Sequence, residues 1–412
     1  MLADAQGVAV PRVGDSGGDR EGSVGGAARR CVAVVVVGAV CVLAAPAAGA
    51  AGANGRTPEP VGRGAACAWP VRADDRTMNL AYPDTAATYW VQRYSIPATA
   101  RIEVTWRRPH ARYSSLVTYD PDGRAIDAMP DRAAGLGTAP RAEVTLAAGD
   151  AATGRALRAG TASAGRVDGT LIYRVYVPDP GRDARGGVAL PGLTLVRGSR
   201  RTRLAPCASP GASPDAAAAV AKLAARPTTP VPAAPVFIRP RDDGGNLYPN
   251  PDNTYLATLA DAAPGRVVVV RGRAPGFPDT ESGARVTGRE PLRYWSFCTN
   301  VYASPFPVTA CAHDARFPVD ADGSYTLVVS RRADRPRNTR RADGVVWLPW
   351  GSTRAPMLVL MRNLLADPTD PQSAARVAPG ALAVETMGPF APRAVLCTQD
   401  RFERGGAADC GL

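Results

Sequence analysis

The chain has 412 residues, 45% hydrophobic and 21% charged, enough for two or three domains of about 150 residues and apolar enough to bury their cores. Its 39 prolines and 42 glycines argue against coiled coils and fibrous repeats and describe a turn-rich globular protein. The net charge of +12 is almost wholly guanidinium, Lys222 being the one lysine among 49 basic residues, and the two histidines, His110 and His313, leave little room for His-rich metal sites or several imidazole bases.

Arg29 and Arg30 precede an uncharged apolar run, Cys31 to Ala53, that ends in small residues. A basic n-region, an apolar h-region and an Ala-x-Ala ending make a secretory signal, cleaved near Ala50 or Ala53, so residues 1–53 read as leader and signal peptide. The other reading is an uncleaved anchor, because the strongly apolar stretch Cys31 to Ala45 falls little short of the about 20 residues that span a bilayer. Membrane contact is then expected only through this segment. Gly14-Asp15-Ser16-Gly17-Gly18 matches the string around a trypsin-like nucleophile, but it precedes the export signal, where no imidazole base or folded oxyanion hole can serve it.

Beyond the leader, the first β-sandwich domain is placed at residues 67–207. Its opening signals are Asn79-Leu80-Ala81-Tyr82-Pro83-Asp84 and Thr88-Tyr89. In Arg101 to Arg107 the apolar Ile102, Val104 and Trp106 alternate with polar neighbours, a half-buried strand. Asp120-Pro121-Asp122-Gly123 is a turn with its own chemistry, Pro fixing φ and Gly supplying a positive φ. Leu171 to Val177 reads as a strand after a hairpin turn at Asp168-Gly169, as Tyr325 to Ser330 does after Asp322-Gly323. Residues 208–235, rich in Ala and Pro, form a linker in which Asp215 caps a short helix that Pro227 ends. A second β-sandwich domain follows at 236–412.

The same order of signals appears on both sides of the linker. Asn246-Leu247-Tyr248-Pro249 and Thr254-Tyr255 answer the Tyr82 loop, Arg266 to Val270 answers Arg101 to Trp106, and Arg293-Tyr294-Trp295-Ser296 answers Arg112-Tyr113-Ser114. Asp322-Gly323-Ser324 answers Asp168-Gly169-Thr170, and Gly344 to Pro349 answers Gly187 to Pro191. The expected fold is therefore mainly β: two tandem antiparallel, jelly-roll-like β-sandwich domains related by internal duplication. Helical periodicity is absent apart from short turns after Tyr82 and Tyr248 and one within Asp367 to Val377.

Six cysteines follow the leader, an even number that predicts disulfides in an exported chain. Of fifteen connectivities, spacing selects Cys298 with Cys311, Cys397 with Cys410, and Cys67 with Cys207. On the chain-entropy model each short loop stabilises by about 3 kcal/mol and the long one by nearer 5 kcal/mol. Zinc is argued against by the absence of Cys-x-x-Cys, and no metal or cofactor is called for.

Candidate chemistry is sparse. His110 and His313 read as exposed turn imidazoles, with general base as the sharper alternative. Asp84 and Asp252, in the matching Tyr-Pro loops, are the better acids of a carboxylate hydrolase, against an Asx-turn or cap role. Aromatic and arginine residues gather as Tyr82, Arg112 and Tyr113 in one half and Tyr248, Arg293, Tyr294 and Trp350 in the other. Such faces hold sugars and other amphipathic ligands on β-sandwiches, and they also serve as strand cores. Trp350 and Arg362-Asn363 are expected outside the core. The positive charge favours anionic envelope polymers, with a solvated Arg-rich surface as the plain reading. Scattered arginines without a binding module argue against nucleic acid.

The strings NLAYPDTAATYWVQRY, RPHARYSSLVTYD and YRVYVPDPGRDARGGVALPGLTL, with LRYWSFCTN, DGSYTLVVS, GVVWLPWG and LVLMRNLL, resemble exported proteins of two families of unknown function, those numbered twelve fifty-four and twelve fourteen. The resemblance spans most of residues 67 to 400 and implies tandem β-rich domains, export, and no catalytic residues to carry over. It departs at Val346-Trp347-Leu348-Pro349-Trp350, where an Asn-Trp-Leu-Pro block would be expected. The sequence reading is thus a secreted or cell-surface, non-catalytic binder of glycan or anionic polymer, with a carboxylate hydrolase and a structural surface protein as alternatives.

Overall fold

In a computed structural model, residues 61, 67–149, 155–211, 230–241, 248–261, 263–352 and 354–412 are described. The leader and most of the linker, 212–229, lie outside them. Strands order into four sheets. Sheet I runs β1 (Val71–Ala73), β2 (Ala87–Pro97), β8 (Arg166–Pro178), β4 (Ala111–Tyr119), β5 (Ala125–Pro130). Sheet II runs β10 (Arg200–Arg203), β9 (Gly192–Arg197), β3 (Arg101–Arg107), β6 (Arg141–Ala147), β7 (Ala156–Arg158). Sheet III runs β11 (Asn253–Ala260), β17 (Met357–Leu364), β13 (Tyr294–Val301), β14 (Val308–His313). Sheet IV runs β16 (Val345–Pro349), β15 (Ser324–Ser330), β12 (Arg266–Arg273), β18 (Arg393–Thr398). The protein is mainly β, as its alternating segments predict.

Strand order is the same in the two halves. Replacing β2 to β9 by β11 to β18 in sequence reproduces both sheets, including the parallel pairs β6–β7 and β15–β16 in otherwise antiparallel ladders. Three of the five paired sequence signals fall on equivalent strands: the Tyr-Pro loops before β2 and β11, the starts of β3 and β12, and the starts of β4 and β13. The other two do not. Asp168-Gly169 lies inside β8, so the hairpin turn expected there is corrected to strand. A Cβ at Gly169 would collide with the Tyr94 ring, whose hydroxyl donates to the Ala159 carbonyl at 2.7 Å, so close packing requires this glycine. Gly187 to Pro191 is loop, whereas Val345–Pro349 is the edge strand β16.

Each sandwich closes on its own core. Ile102, Val104 and Trp106 from β3 meet Leu171, Tyr173 and Val175 from β8 in the first; Val268 and Val270 meet Trp295, Phe297 and Met361 in the second. Sheet II keeps one wet face, so β3 and β6 alternate buried and exposed residues. Sheets I and III are covered on both faces, which is why β17 is buried along its whole length and β4 nearly so. Both sandwiches belong to one compact unit, Gly55–Leu412.

Three expectations need correction. Trp350 is 7% exposed and sits in the second core, and Arg362 and Asn363 are buried on β17. Helices α1 (Ala383–Met387) and α2 (Gln399–Asp409) occur where no helical period was read. Helix α2 was hidden by Gly405 and Gly406, which interrupt its dihedrals, and by its dependence on a single buried anchor, Phe402. The disulfides Cys67–Cys207, Cys298–Cys311 and Cys397–Cys410 are all formed.

Candidate functional site

Eight of the nine candidate ligand-binding residues converge where sheet I of the first sandwich faces sheet III of the second. Tyr113 and Tyr294, at equivalent places on β4 and β13, flank Tyr176, with ring centroids 5.5 and 5.4 Å from it and edges turned to faces. Around these rings Ala87, Val177 and Leu364 complete an apolar seam. Trp350 alone among the candidates lies elsewhere.

Two reciprocal carboxylate contacts cross the seam. The Tyr294 hydroxyl donates to Asp84 Oδ2 at 2.9 Å, joined by Ser296 Oγ at 2.8 Å, and in return Tyr113 donates to Asp252 Oδ2 at 2.5 Å. Burial pushes both tyrosine hydroxyls well above their ordinary range, so they stay protonated and act as donors. Within each loop a second tyrosine closes the arrangement: the Asp84 amide donates to Tyr89 Oη and the Asn250 amide to Tyr255 Oη, each at 3.3 Å.

The two arginines that complete this clasp escaped the sequence reading as site residues. Arg174 on β8 lies opposite Tyr89 in the ladder, and Arg362 on β17 lies opposite Tyr255. Arg174 donates to the Tyr248 carbonyl at 3.0 Å and Arg362 to the Tyr82 carbonyl, so each half grips the other's Tyr-Pro loop. Both gripped tyrosines have positive φ, 58° at Tyr82 and 52° at Tyr248, an uncommon conformation for a side chain of this size. Burial works against the charge of Arg362, but Asp84, 3.6 Å away, and the tyrosines outweigh it and keep it cationic. The signal available beforehand was an arginine set among large apolar and aromatic residues in each of two runs, YRVYV and LVLMRNLL.

Arg112 and Arg293 anchor one end of the seam. Arg112, wholly buried, pairs with Asp314, takes Thr280 Oγ1 at 3.3 Å and lies over the Phe277 ring at 5.3 Å. Arg293 donates to the Arg112 carbonyl at 3.1 Å and to Asp131 at 3.2 Å. His313 is no free turn imidazole: it ends β14, lies 2.7 Å from Glu281 and stacks on Tyr294. The Asp84 carboxylate and the sulfurs of Cys298 and Cys311 lie within 4.8 Å of one another. Those sulfurs are bonded to each other, so the group offers no thiolate pair to a metal.

A second surface stands apart from the seam. The outer face of sheet II carries Arg101 and Arg107 on β3, Arg141 on β6, and Arg201 and Arg203 on β10, with Glu103 and Glu143 among them. Glu103 pairs with Arg101 and Arg201, and Glu143 with Arg141. Arg107 stands directly opposite Arg141, a like-charged cross-strand pair. The corresponding face of sheet IV is covered by helix α2, whose Phe402 packs on Val267, Val269 and Val328.

No family profile matches the chain, and no curated protein is similar to it. Among solved structures, an uncharacterised protein from Burkholderia cenocepacia is similar at 15% identity, covering 82% of this chain and 83% of its own, with a TM-score of 0.50. A protein from Vibrio parahaemolyticus is similar at 12% identity over 76% of this chain and 90% of its own, with a TM-score of 0.39. The first likeness shows the fold. The three disulfides point to an oxidising compartment, and among the described residues no helix is long and apolar enough to cross a membrane.

Proposed function

We propose that this is an exported, non-catalytic tandem β-sandwich that binds an anionic envelope polymer through the outer face of sheet II. One observation carries the reading. Six arginines, counting Arg158 on β7, stand against two glutamates on a face left uncovered, and among the described residues Arg107 and Arg203 have no carboxylate within ion-pair distance. The directly opposed Arg107 and Arg141 repel each other, and a bound polyanion would relieve that repulsion.

The glycan form of the reading has less support. Among the described residues Tyr248, 38% exposed, is the one large aromatic open to solvent, so the rings expected to stack on sugars are occupied in cores and seam. Asp84 and Asp252 are engaged by hydroxyls from the opposite half, which weighs for binding over carboxylate hydrolysis. Common strand order and the reciprocal clasp support the reading that one sandwich was copied. The resemblance to the two exported families belongs to this proposal as well.

Retention of the mature chain on immobilised polyphosphate, as salt is raised, tests it. Binding that weakens with salt, and is largely lost in a variant carrying Arg107→Ser, Arg201→Ser and Arg203→Ser, is the expected result. Equal retention of wild type and variant overturns it.

A further inference from the structure

The clasp accounts for the tyrosines, arginines and carboxylates of the seam and leaves one group without a use, the Cys298–Cys311 disulfide. The two cysteines are register partners on β13 and β14. Cys298 lies two residues beyond Ser296, which reaches Asp84, so strand alternation turns it toward the first sandwich. Its sulfur is fully buried, while Cys311 at the sheet edge is partly exposed.

Arg362 Nη1 stands 2.9 Å from Cys298 Sγ. The guanidinium cannot drift, because it also grips the Tyr82 carbonyl and lies 3.6 Å from Asp84. On the other side the Thr85 amide points at Cys311 Sγ from 3.4 Å. His313, two residues past Cys311 on the same strand face, is fixed by Glu281. A disulfide opens faster when the departing sulfur is stabilised as a thiolate, and a fixed cation beside that sulfur does this. The arrangement marks Cys311 as the sulfur to be attacked and Cys298 as the one that leaves.

We propose that Cys298–Cys311 is an exchangeable disulfide, opened by a dithiol that attacks Cys311. The reagent's thiolate bonds to Cys311 Sγ, the S–S bond breaks, and its electron pair departs on Cys298 Sγ, which Arg362 holds. The reagent's second thiol loses its proton and closes on the reagent's own bonded sulfur, releasing Cys311 with the electron pair of that mixed disulfide. Cys311, partly exposed at the sheet edge, takes a proton from water. The dithiol leaves as its disulfide, oxidised by two electrons, and the cysteine pair is reduced by two. The new thiolate shares Arg362 with Asp84, so exchange alters the charge balance of the seam.

Cys397–Cys410 is an internal control. It has the same sequence separation of 13, one buried and one partly exposed sulfur, and among the described residues no guanidinium bonded to either. The native full chain is treated with limiting dithiothreitol, quenched by alkylation at intervals and mapped by mass spectrometry. Cys298–Cys311 is expected to open at least about tenfold faster than Cys397–Cys410, with a glutathione adduct, formed in a parallel reaction, on Cys311. Arg362→Met slows the opening about tenfold and Arg362→Lys restores most of it. Simultaneous opening of the two pairs, or an adduct on Cys298, overturns the proposal. Should circular dichroism show Arg362→Met unfolded, the order of opening and the adduct position in the wild type decide by themselves.

Discussion

A buried carboxylate is costly unless partners meet it, and both carboxylates of the seam have them. Asp84 is met by two hydroxyls and Arg362. At Asp252, burial lifts the carboxyl above its ordinary value of 3.8, against the pull of the Tyr113 hydroxyl and Arg174. Its proton is therefore held more tightly in the folded than in the unfolded chain. The stabilisation from that proton is complete below 3.8 and fades as pH rises through the folded value. Asp314 shifts in the same direction, again chiefly through burial. Asp252→Asn, which imitates the protonated form, is expected to remove its share of this slope. Urea midpoints measured across the acid range check it, and a variant whose profile parallels the wild type at every pH contradicts the assignment.

Among the elements, strand pattern follows the number of wet faces. Sheet II has one, so the alternation in Arg101 to Arg107 was legible and its core side, Ile102, Val104 and Trp106, correctly read. β4, β13 and β17 have none, and there the period vanishes. Ordinary alternation would put Arg362, which points away from the core residue Met361, near water; only the first sandwich's sheet opposite explains its burial. Helix α2 shows the complementary limit. Thr398 accepts from the Arg401 amide at 3.2 Å as its cap, the Cys397–Cys410 bridge ties both ends and Glu403 holds Arg337 at the rim, but Phe402 is its one buried side chain. Phe402→Ala should therefore cost about 3 to 5 kcal/mol and release the helix from sheet IV. Amide exchange in residues 399–409 should rise far more than in β12, and equal protection of both segments would refute this docking.

For the whole molecule, the seam behaves like an interface between two equivalent bodies. Tyr113 answers Tyr294, Arg174 answers Arg362, and each Tyr-Pro loop is held by the other half. Such reciprocity is the mark of a self-complementary contact. A buried, hydrogen-bonded contact of this kind needs no covalent tether. A protease site inserted within residues 212–229 and cut in the native protein should leave two fragments that elute together. Asp84→Asn with Asp252→Asn should separate them after the same cut, and intact association in that double variant would place the binding energy elsewhere.

Sequence alone determined what depends on neighbours along the chain: turns such as Asp120-Pro121-Asp122-Gly123, one-faced strands, and the pairing of cysteines by spacing. It also supplied the residues of the seam, since Tyr82, Asp84, Arg112, Tyr113, Tyr248, Asp252, Arg293 and Tyr294 were singled out together. Which way those side chains face was decided only by the packing of sheet I on sheet III. Burial on a strand's second face comes from another sheet far away in the chain, and no local period records it. The same packing closed the expected aromatic ligand strip and left the arginines of sheet II in water, because helix α2 covers the opposite end of the stack alone.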